Sequence, residues 1–426
     1  MKTKSSIRLM VLLMMFPQIV ETIYSPALPM IASGFDVSMP QAGMTLSIYF
    51  TAFAFGVVSW GIAADIIGRR AAMLAGLLVY GLAAFGAVYA QSFYWLLAMR
   101  ALSAFGAAVG SVVTQTMLRD TYNQEELSRV FSLMGVGIAV SPALGLLLGS
   151  LFTSRYGYQG VFSLLAVLAM LLLLLSYSHL RESRVQDCKE MGIDSVSKPE
   201  IKPALLSLAQ RMLLDGQLWR SALLICGFNV MLFSYYLHGP FLFAQLGFSS
   251  MQFGFSGLSL AVATLVGSKV NKHLIRRQID VTVRVQLAAV TALLGAAGVY
   301  VNLHSVWFLV PMMLVVTGFS VAIPNILAGA LVAYKQQVGS AGALFGLGYY
   351  LLIGIGMMIA GEINHLGNVL LLTALGTLVV SKLLSLIFVE IVNESKTCLI
   401  SVSKLVYIQT CYVNVVFARR LYVAID

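Results

Sequence analysis

The feature that most constrains this chain is a series of long apolar segments separated by short polar breaks. Each segment approaches the roughly 20 residues that an α-helix needs to cross the hydrocarbon core of a bilayer. Only 10% of the 426 residues are charged and 59% are hydrophobic, so a soluble fold could not cover its surface with polar groups. Alternating barrel strands are missing from the sequence, and helices satisfy their own backbone hydrogen bonds in lipid. The sequence therefore predicts an all-α polytopic membrane protein.

We predict twelve spans, with a long polar stretch after the sixth. This stretch, 181–220, carries charges of both signs and two prolines, and we interpret it as a partly helical linker. It separates an N-terminal half at 1–180 from a C-terminal half at 221–392, and a tail at 393–426 does not fit a thirteenth span. The eighth span is short and rich in Gly and Ser. The spans are predicted near 8–30, 43–64, 71–90, 95–118, 130–152, 161–179, 221–242, 252–270, 284–303, 306–328, 340–361 and 368–391.

The basic residues lie mainly in one set of loops, which predicts the orientation. Arg69, Arg70, the linker and the stretch from Lys269 to Arg284 fall in alternate loops, whereas the other loops hold little beyond Arg155. Because cytoplasmic loops are enriched in Lys and Arg, we predict that both termini are cytoplasmic. The same rule accounts for the net charge of +10, so we expect no nucleic-acid partner. No small-residue cleavage site follows the first apolar run, which we interpret as an uncleaved span.

The sequence contains no recognisable catalytic or metal-binding pattern. The four cysteines have no CxxC spacing, so neither a disulfide nor a zinc site is predicted. A P-loop, an HExxH motif and a nucleophile elbow with partners are all missing. We therefore expect a protein that is not an enzyme and has no cofactor. A membrane-bound sensor or enzyme is the alternative class, but it would need a folded soluble domain or a catalytic constellation.

The two halves resemble each other weakly. "YSPALPMIASGF" in span one parallels "YLHGPFLFAQLGF" in span seven, and "GIAADIIGRR" after span two parallels "GSKVNKHLIRR" after span eight. Two six-helix halves with internal repeats are typical of alternating-access transporters, whose binding site lies near the bilayer midplane between the halves. The sequence thus favours a pseudo-symmetric transporter.

The turn after span two carries the most specific motif. "GIAADIIGRR" resembles the loop signature of the major facilitator superfamily, in which glycines allow close helix approach and the charged residues cap and pair. One basic residue of that pattern is replaced here by Ile66. The matching positions are Gly61, Asp65, Gly68, Arg69 and Arg70.

Two further stretches in and after span four carry the same resemblance. "MRALSAFGAAVG" is similar to a second motif of the superfamily, matched at Arg100 and Gly106. An arginine inside a span is costly and should face the bundle or water, although Arg100 is close enough to the outer end of the helix to extend to the surface instead. The following "MLRD", with Arg119 and Asp120, resembles Bcr/CflA-type drug exporters.

Span five supplies the argument for the direction of transport. "GVGIAVSPALGLLLGS" resembles the antiporter motif of the superfamily and matches it at Gly137, Pro142 and Gly145. In that family the motif accompanies exporters rather than importers. Spans one and eleven are also similar to those of EmrD-type exporters.

These resemblances cover nearly all of residues 7–391. They imply a twelve-span major facilitator fold that exports small amphipathic drugs in exchange for protons across a bacterial cytoplasmic membrane, as a monomer. A dedicated exporter of a metabolite or siderophore has the same fold, and the residues do not separate it from a drug exporter. An uptake symporter is the third alternative, against which the span-five motif argues.

Glu21 is the acidic residue that we predict to lie well inside a span. It belongs to "FPQIVETIYSPALPM", where helical spacing places Gln18, Glu21 and Ser25 on one polar stripe. Ionised residues at such depth are costly and typically mark ion or proton pathways. We predict that Glu21 carries the coupling proton or contacts substrate. It could instead be the structural partner of a buried polar group, or lie near water without a role.

Other polar and aromatic residues within the spans are weaker candidates for substrate contact. For each of them a helix–helix contact or an interfacial anchor is the alternative. His238 precedes Gly239 and Pro240 and is expected near the outer face. The candidates are Gln18, Tyr24, Tyr49, Phe53, Gln115, Asn229, Tyr235, Tyr236, His238 and Asn325.

Overall fold

The computed structural model describes residues 6–122, 124–183 and 201–382, and these residues form helices without any β-strand. The predicted tail and most of the predicted linker lie outside the described residues. The helices are α1 (Ile7–Ile23), α2 (Leu28–Gly34), α3 (Met39–Ile67), α4 (Arg69–Val88), α5 (Phe93–Thr121), α6 (Gln124–His179), α7 (Ile201–Leu213), α8 (Gly216–Gln245), α9 (Ser250–Arg276), α10 (Val281–Asn302), α11 (Leu309–Ala330), α12 (Val338–Glu362) and α13 (Leu366–Lys382).

The prediction of an all-α protein with twelve spans is confirmed. Ten helical segments of the described chain are long and apolar enough to cross a membrane. One of them contains two spans, because α6 is interrupted at Gly157, where φ is 67° and ψ is −166°. The shorter apolar helix α13 supplies the last span, although the predicted end of that span at 391 lies outside the described residues.

Span one is broken near its middle. α1 ends at Ile23, a 3-10 turn covers Ser25–Ala27, and α2 continues the crossing. Pro26 and Pro29 supply no backbone N–H, so a regular α-helix cannot continue through them. Irregular backbone inside a membrane is tolerated where it is buried in protein or lines a cavity. The break therefore distinguishes this stretch from an ordinary lipid-facing span.

The corresponding helices α3 and α9 of the two halves begin with the same capping motif. α3 starts with a capping box in which the Ser38 side chain accepts from Gln41 and the Gln41 side chain accepts from Ser38. α9 starts with the same reciprocal pair between Ser249 and Gln252. A capping box satisfies two otherwise unpaired backbone donors and fixes the start of a helix. It gives the eighth span, which is short in the sequence, a helix of 27 residues.

Contacts between the first six and last six spans run along two helix pairs. α3 packs against α12, and α6 packs against α9. The α6–α9 crossing is close at the end of the bundle where α2 meets α3, since a β-carbon built on Gly254 would lie 2.6 Å from Cβ of Ser150. We name this the α2–α3 end and the opposite one the α3–α4 end. At the α2–α3 end the Ser25 hydroxyl also donates to the carbonyl oxygen of Tyr236 in α8.

Candidate functional site

A cavity of about 600 Å³ lies between the two groups of spans. Helices α1, α3, α6, α8, α9, α11 and α12 line it, and it reaches toward the α3–α4 end at Ser268 and Leu327. Most of its lining is apolar, as expected for a small-molecule site. Its aromatic residues are Phe50, Phe233, Tyr236, Phe319, Tyr349 and Tyr350, and its polar residues include Gln18, Glu21, Thr22, Asn229, Thr264, Ser268 and Ser320.

Glu21 is the one acidic residue among the described residues that line this cavity. It lies on the last turn of α1, just before the break, and is 3% exposed. It makes no salt bridge with a described residue. Tyr236 of α8 and Tyr349 and Tyr350 of α12 line the same cavity as Glu21. The carboxyl group thus occupies the centre of the bundle, as its position in the sequence predicts.

Arg100 interacts electrostatically with Glu21 but does not line the cavity. Its side chain is 1% exposed, and its guanidinium carbon lies 4.3 Å from the ring centroid of Tyr24 and 4.9 Å from that of Tyr49. The alternative in which Arg100 extends to the membrane surface is therefore wrong. The two ring faces turn the side chain inward, through cation–π contacts that a desolvated guanidinium favours.

Of the predicted substrate residues, Gln18, Asn229 and Tyr236 line the cavity. Tyr24 and Tyr49 lie outside it against Arg100.

Phe53 is one ring removed from the cavity. Its centroid lies 4.8 Å from that of Tyr350, which does line the cavity, so Phe53 supports the wall without forming it.

The remaining predicted substrate residues do not line the cavity: Tyr235, His238, Asn325 and Gln115. Tyr235 shares a hydrogen bond with the hydroxyl of Ser256, and Nε2 of His238 lies 3.1 Å from the carbonyl oxygen of Ala360. His238 is buried against the last turn of α12, which lies at the α2–α3 end of the bundle.

Asn325 pairs with an amide on a neighbouring helix. Its Nδ2 donates to Oδ1 of Asn271 at 2.7 Å, which joins α11 to α9. Gln115 is half-buried in α5 and does not line the cavity.

Of the aromatic residues that the second half contributes to the cavity, Tyr236 was predicted from the sequence, whereas Phe233, Phe319, Tyr349 and Tyr350 were not. Tyr349 and Tyr350 lie side by side at the middle of α12, with ring centroids 4.5 Å apart. Phe233 meets Phe50 of α3 edge to face at 4.6 Å. Interfacial anchors lie near the ends of a span, so a tyrosine pair at the middle of a span indicates a different role. The sequence contained this signal for Tyr349 and Tyr350.

The charged residues of the α3–α4 turn form a compact network. Arg69 lies 3.0 Å from Asp65 through Nη1 and 3.0 Å from Asp120 of α5 through Nε. Gly68 has φ of 97°, a conformation that favours glycine. The motif residues thus join α3, α4 and α5. Arg119 points outward, and a β-carbon on Gly61 would meet Val112 only at an ordinary 3.6 Å.

Glu182 is a member of this network that the motif did not reveal. Its carboxylate accepts from the backbone N–H groups of Arg69 and Arg70, each at 3.0 Å, and so caps the N-terminus of α4. Nη2 of Arg70 donates to the carbonyl oxygen of Tyr177 at 2.8 Å. These contacts attach the end of α6, where the linker begins, to the α3–α4 turn.

We expect Glu182→Gln to destabilise the protein by about 0.5–1 kcal/mol, because the carboxylate loses its favourable interaction with the helix N-terminus. The measurement is the thermal unfolding midpoint of the purified protein in detergent at low salt. The matched control is Glu362→Gln, an exposed glutamate at the C-terminal end of α12. Equal midpoints for the two variants would contradict the capping role.

The remaining motif positions lie at close helix crossings or on the cavity wall. A β-carbon on Gly106 would lie 2.7 Å from the backbone nitrogen of Tyr80, and one on Gly145 would lie 2.9 Å from the carbonyl oxygen of Ile19. A β-carbon on Gly137 would lie 3.0 Å from Sδ of Met15, and Pro142 lines the cavity. Gly106 therefore permits the α4–α5 crossing, and Gly137 and Gly145 permit that of α1 with α6.

Twelve spans around a central cavity define a membrane transporter of small molecules. The chain belongs to the Major Facilitator Superfamily, whose sequence model matches residues 10–361. This confirms the family that the motifs indicated.

Several known proteins are similar to this chain over most of their own length. An uncharacterized transporter of Rickettsia felis is 29% identical over 358 residues, which cover 81% of this chain and 86% of that protein. Multidrug resistance protein D of Escherichia coli is 27% identical over 383 residues, 87% of this chain and 93% of that protein. A bacterial homolog of the human lysosomal transporter Spinster, crystallised inward-facing and occupied, superposes with a TM-score of 0.66 at 15% identity over 90% of this chain and 94% of its own. The last similarity concerns the fold alone.

Proposed function

We propose that the protein exports small amphipathic molecules, drugs among them, in exchange for protons. The observation that carries this proposal is the carboxyl group of Glu21 in a cavity whose other lining residues, within the described part of the chain, are apolar, aromatic or uncharged. The similarity to Multidrug resistance protein D supports the choice of substrate class. Dedicated export of a metabolite is the rival that the experiment below separates.

The lining of the cavity fits amphipathic substrates. The faces of Phe50, Phe233 and Tyr350 offer apolar contact that does not depend on a fixed hydrogen-bond pattern, so molecules of different shape can pack against them. Glu21 supplies a proton-binding group within the same space. A substrate with a positive charge would compete with the proton for that carboxylate, and this competition couples the two fluxes.

Alternating access follows from rocking of the halves 1–180 and 221–392 about the cavity, joined by the linker 181–220. By the positive-inside rule the α3–α4 end is cytoplasmic, which makes the conformation described here open toward the cytoplasm. Both termini are then cytoplasmic. Separation of α6 from α9 at Gly254 and release of the Ser25 contact would open the opposite side.

We assign the protein to a bacterial cytoplasmic membrane, where it acts as a monomer without a cofactor. The proton gradient is its source of energy, and the lipid bilayer, protons and the transported molecule are its partners.

The experiment that tests the function uses inverted membrane vesicles whose interior has been acidified by respiration. Cationic and neutral amphipathic drugs are added one at a time, and the pH gradient is followed with a fluorescent amine. A drug that is a substrate should dissipate the gradient in vesicles with the protein and leave it unchanged in matched vesicles without it. If no drug of a broad panel does so, drug export is excluded in favour of a dedicated metabolite exporter.

A further inference from the structure

The side chains around Arg100 form a separate group next to the cavity, which we name the Arg100 cage: Arg100, Tyr24, Tyr49 and Tyr80. They come from four elements of the first half, and none of them lines the cavity. All four side chains are buried, and Arg100 is the largest fully buried side chain of the described residues. Tyr80 lies within electrostatic reach of the guanidinium, and the rings of Tyr24 and Tyr49 cover its faces.

The Arg100 cage contains an excess of hydrogen-bond donors. Nε, Nη1 and Nη2 of Arg100 have no acceptor among the described protein atoms, and neither have the hydroxyls of Tyr49 and Tyr80. A guanidinium carries five N–H donors and no acceptor. The ring faces attract the guanidinium cation. Its N–H groups, however, point outward in the plane of the guanidinium and still need hydrogen-bond acceptors. Buried donors of this kind are normally paired, and a buried charge is normally compensated.

We propose that the Arg100 cage binds a small inorganic anion such as chloride. A monovalent anion would accept from the edge of the guanidinium and from the hydroxyls of Tyr49 and Tyr80, and it would compensate the buried charge. The size of the ion follows from burial: because Arg100 is 1% exposed and Tyr49 is 0% exposed, the space around them suits a small ion and not a molecule that would fill the cavity.

Glu21 sets the affinity for this anion. It is the acidic residue that attracts Arg100, yet it makes no salt bridge with it. Its negative charge supplies part of the compensation from a distance and repels an anion at the cage. Removal of that charge should therefore tighten anion binding. This inference does not depend on the transported molecule or on proton coupling.

The test measures the thermal unfolding of the purified full-length protein in detergent while sodium chloride replaces sodium gluconate at constant ionic strength. We expect chloride to stabilise Glu21→Gln at a midpoint concentration roughly tenfold below that of the wild type, the effect of removing one nearby charge. Glu362→Gln, which removes an exposed glutamate, should respond like the wild type. Arg100→Gln should lose the response.

Equilibrium binding of radioactive chloride to the wild type and to Glu21→Gln gives the same comparison if Arg100→Gln does not fold. Saturable binding that is tighter in Glu21→Gln supports the proposal. The absence of a chloride-specific effect in Glu21→Gln overturns it, as does equal affinity in the wild type and in Glu21→Gln. Because no drug or gradient is present, failure here leaves the proposed export function standing.

Discussion

Vesicles that contain Glu21→Gln are expected to keep their pH gradient when a substrate that dissipates it with the wild-type protein is added. Glutamine has nearly the shape of glutamate but no exchangeable acidic proton, so drug-dependent proton release should fall below about a tenth of the wild-type rate. Glu21 is the one acidic residue lining the cavity in the described chain, so no neighbour there can replace it. The loss should appear in the proton flux, with the protein still folded.

The control separates coupling from a general loss of charge. Glu362→Gln makes the same chemical change at an exposed position at the end of α12 and should retain wild-type flux. Binding of a neutral substrate, measured by quenching of protein fluorescence, should persist in Glu21→Gln because the aromatic wall is intact. Wild-type proton flux in Glu21→Gln would instead assign Glu21 to a structural role and coupling to another group.

The number of spans and the position of Glu21 could be predicted because both are local signals. A run of about twenty apolar residues predicts a membrane-spanning helix, whatever that helix packs against. A carboxylate fourteen positions into such a run stands out for the same reason, since its burial follows from the depth of the span.

The faces of the spans could not be predicted in the same way. In a soluble helix the polar stripe marks the outside, but lipid is as apolar as the interior of the bundle, so the pattern that would orient a span is missing. Phe233 and Phe319 line the cavity whereas Phe55 and Phe85 are exposed on the outside of the bundle, and the sequence does not separate them. Polar residues gave the opposite error. Asn325 was predicted to contact substrate, but its side chain pairs with Asn271 on a neighbouring helix.

Contacts between residues far apart in the sequence could not be predicted either. Glu182 caps α4 from a position 113 residues after Arg69, at the start of a linker with no motif of its own. Nothing local to either residue specifies that pairing. The packing of the helix ends, rather than the residues of the turn, brings the carboxylate to the first turn of α4.

Gly149→Ala is expected to lower the free energy of unfolding by about 1–3 kcal/mol, because it overfills a backbone-to-backbone contact. A methyl group on Gly149 would overlap the carbonyl oxygen of Ile23 and lie 2.8 Å from its carbonyl carbon. Backbone atoms cannot rotate out of the way as a side-chain end can, so α1 must move away from α6. That movement occurs at the break in span one, two residues after Glu21.

Gly348→Ala is the matched comparison, since it also adds one methyl group to a glycine within a span. A β-carbon on Gly348 would meet no atom within 4 Å, and alanine is favoured over glycine in a helix by about 0.5–1 kcal/mol. Its unfolding midpoint should therefore equal or exceed that of the wild type, while the midpoint of Gly149→Ala falls. Two variants with the same chemical change and opposite effects would show that contact with the Ile23 backbone, rather than helix propensity, makes Gly149 necessary. Equal midpoints would mean that α1 and α6 cross at a greater distance than the structure gives.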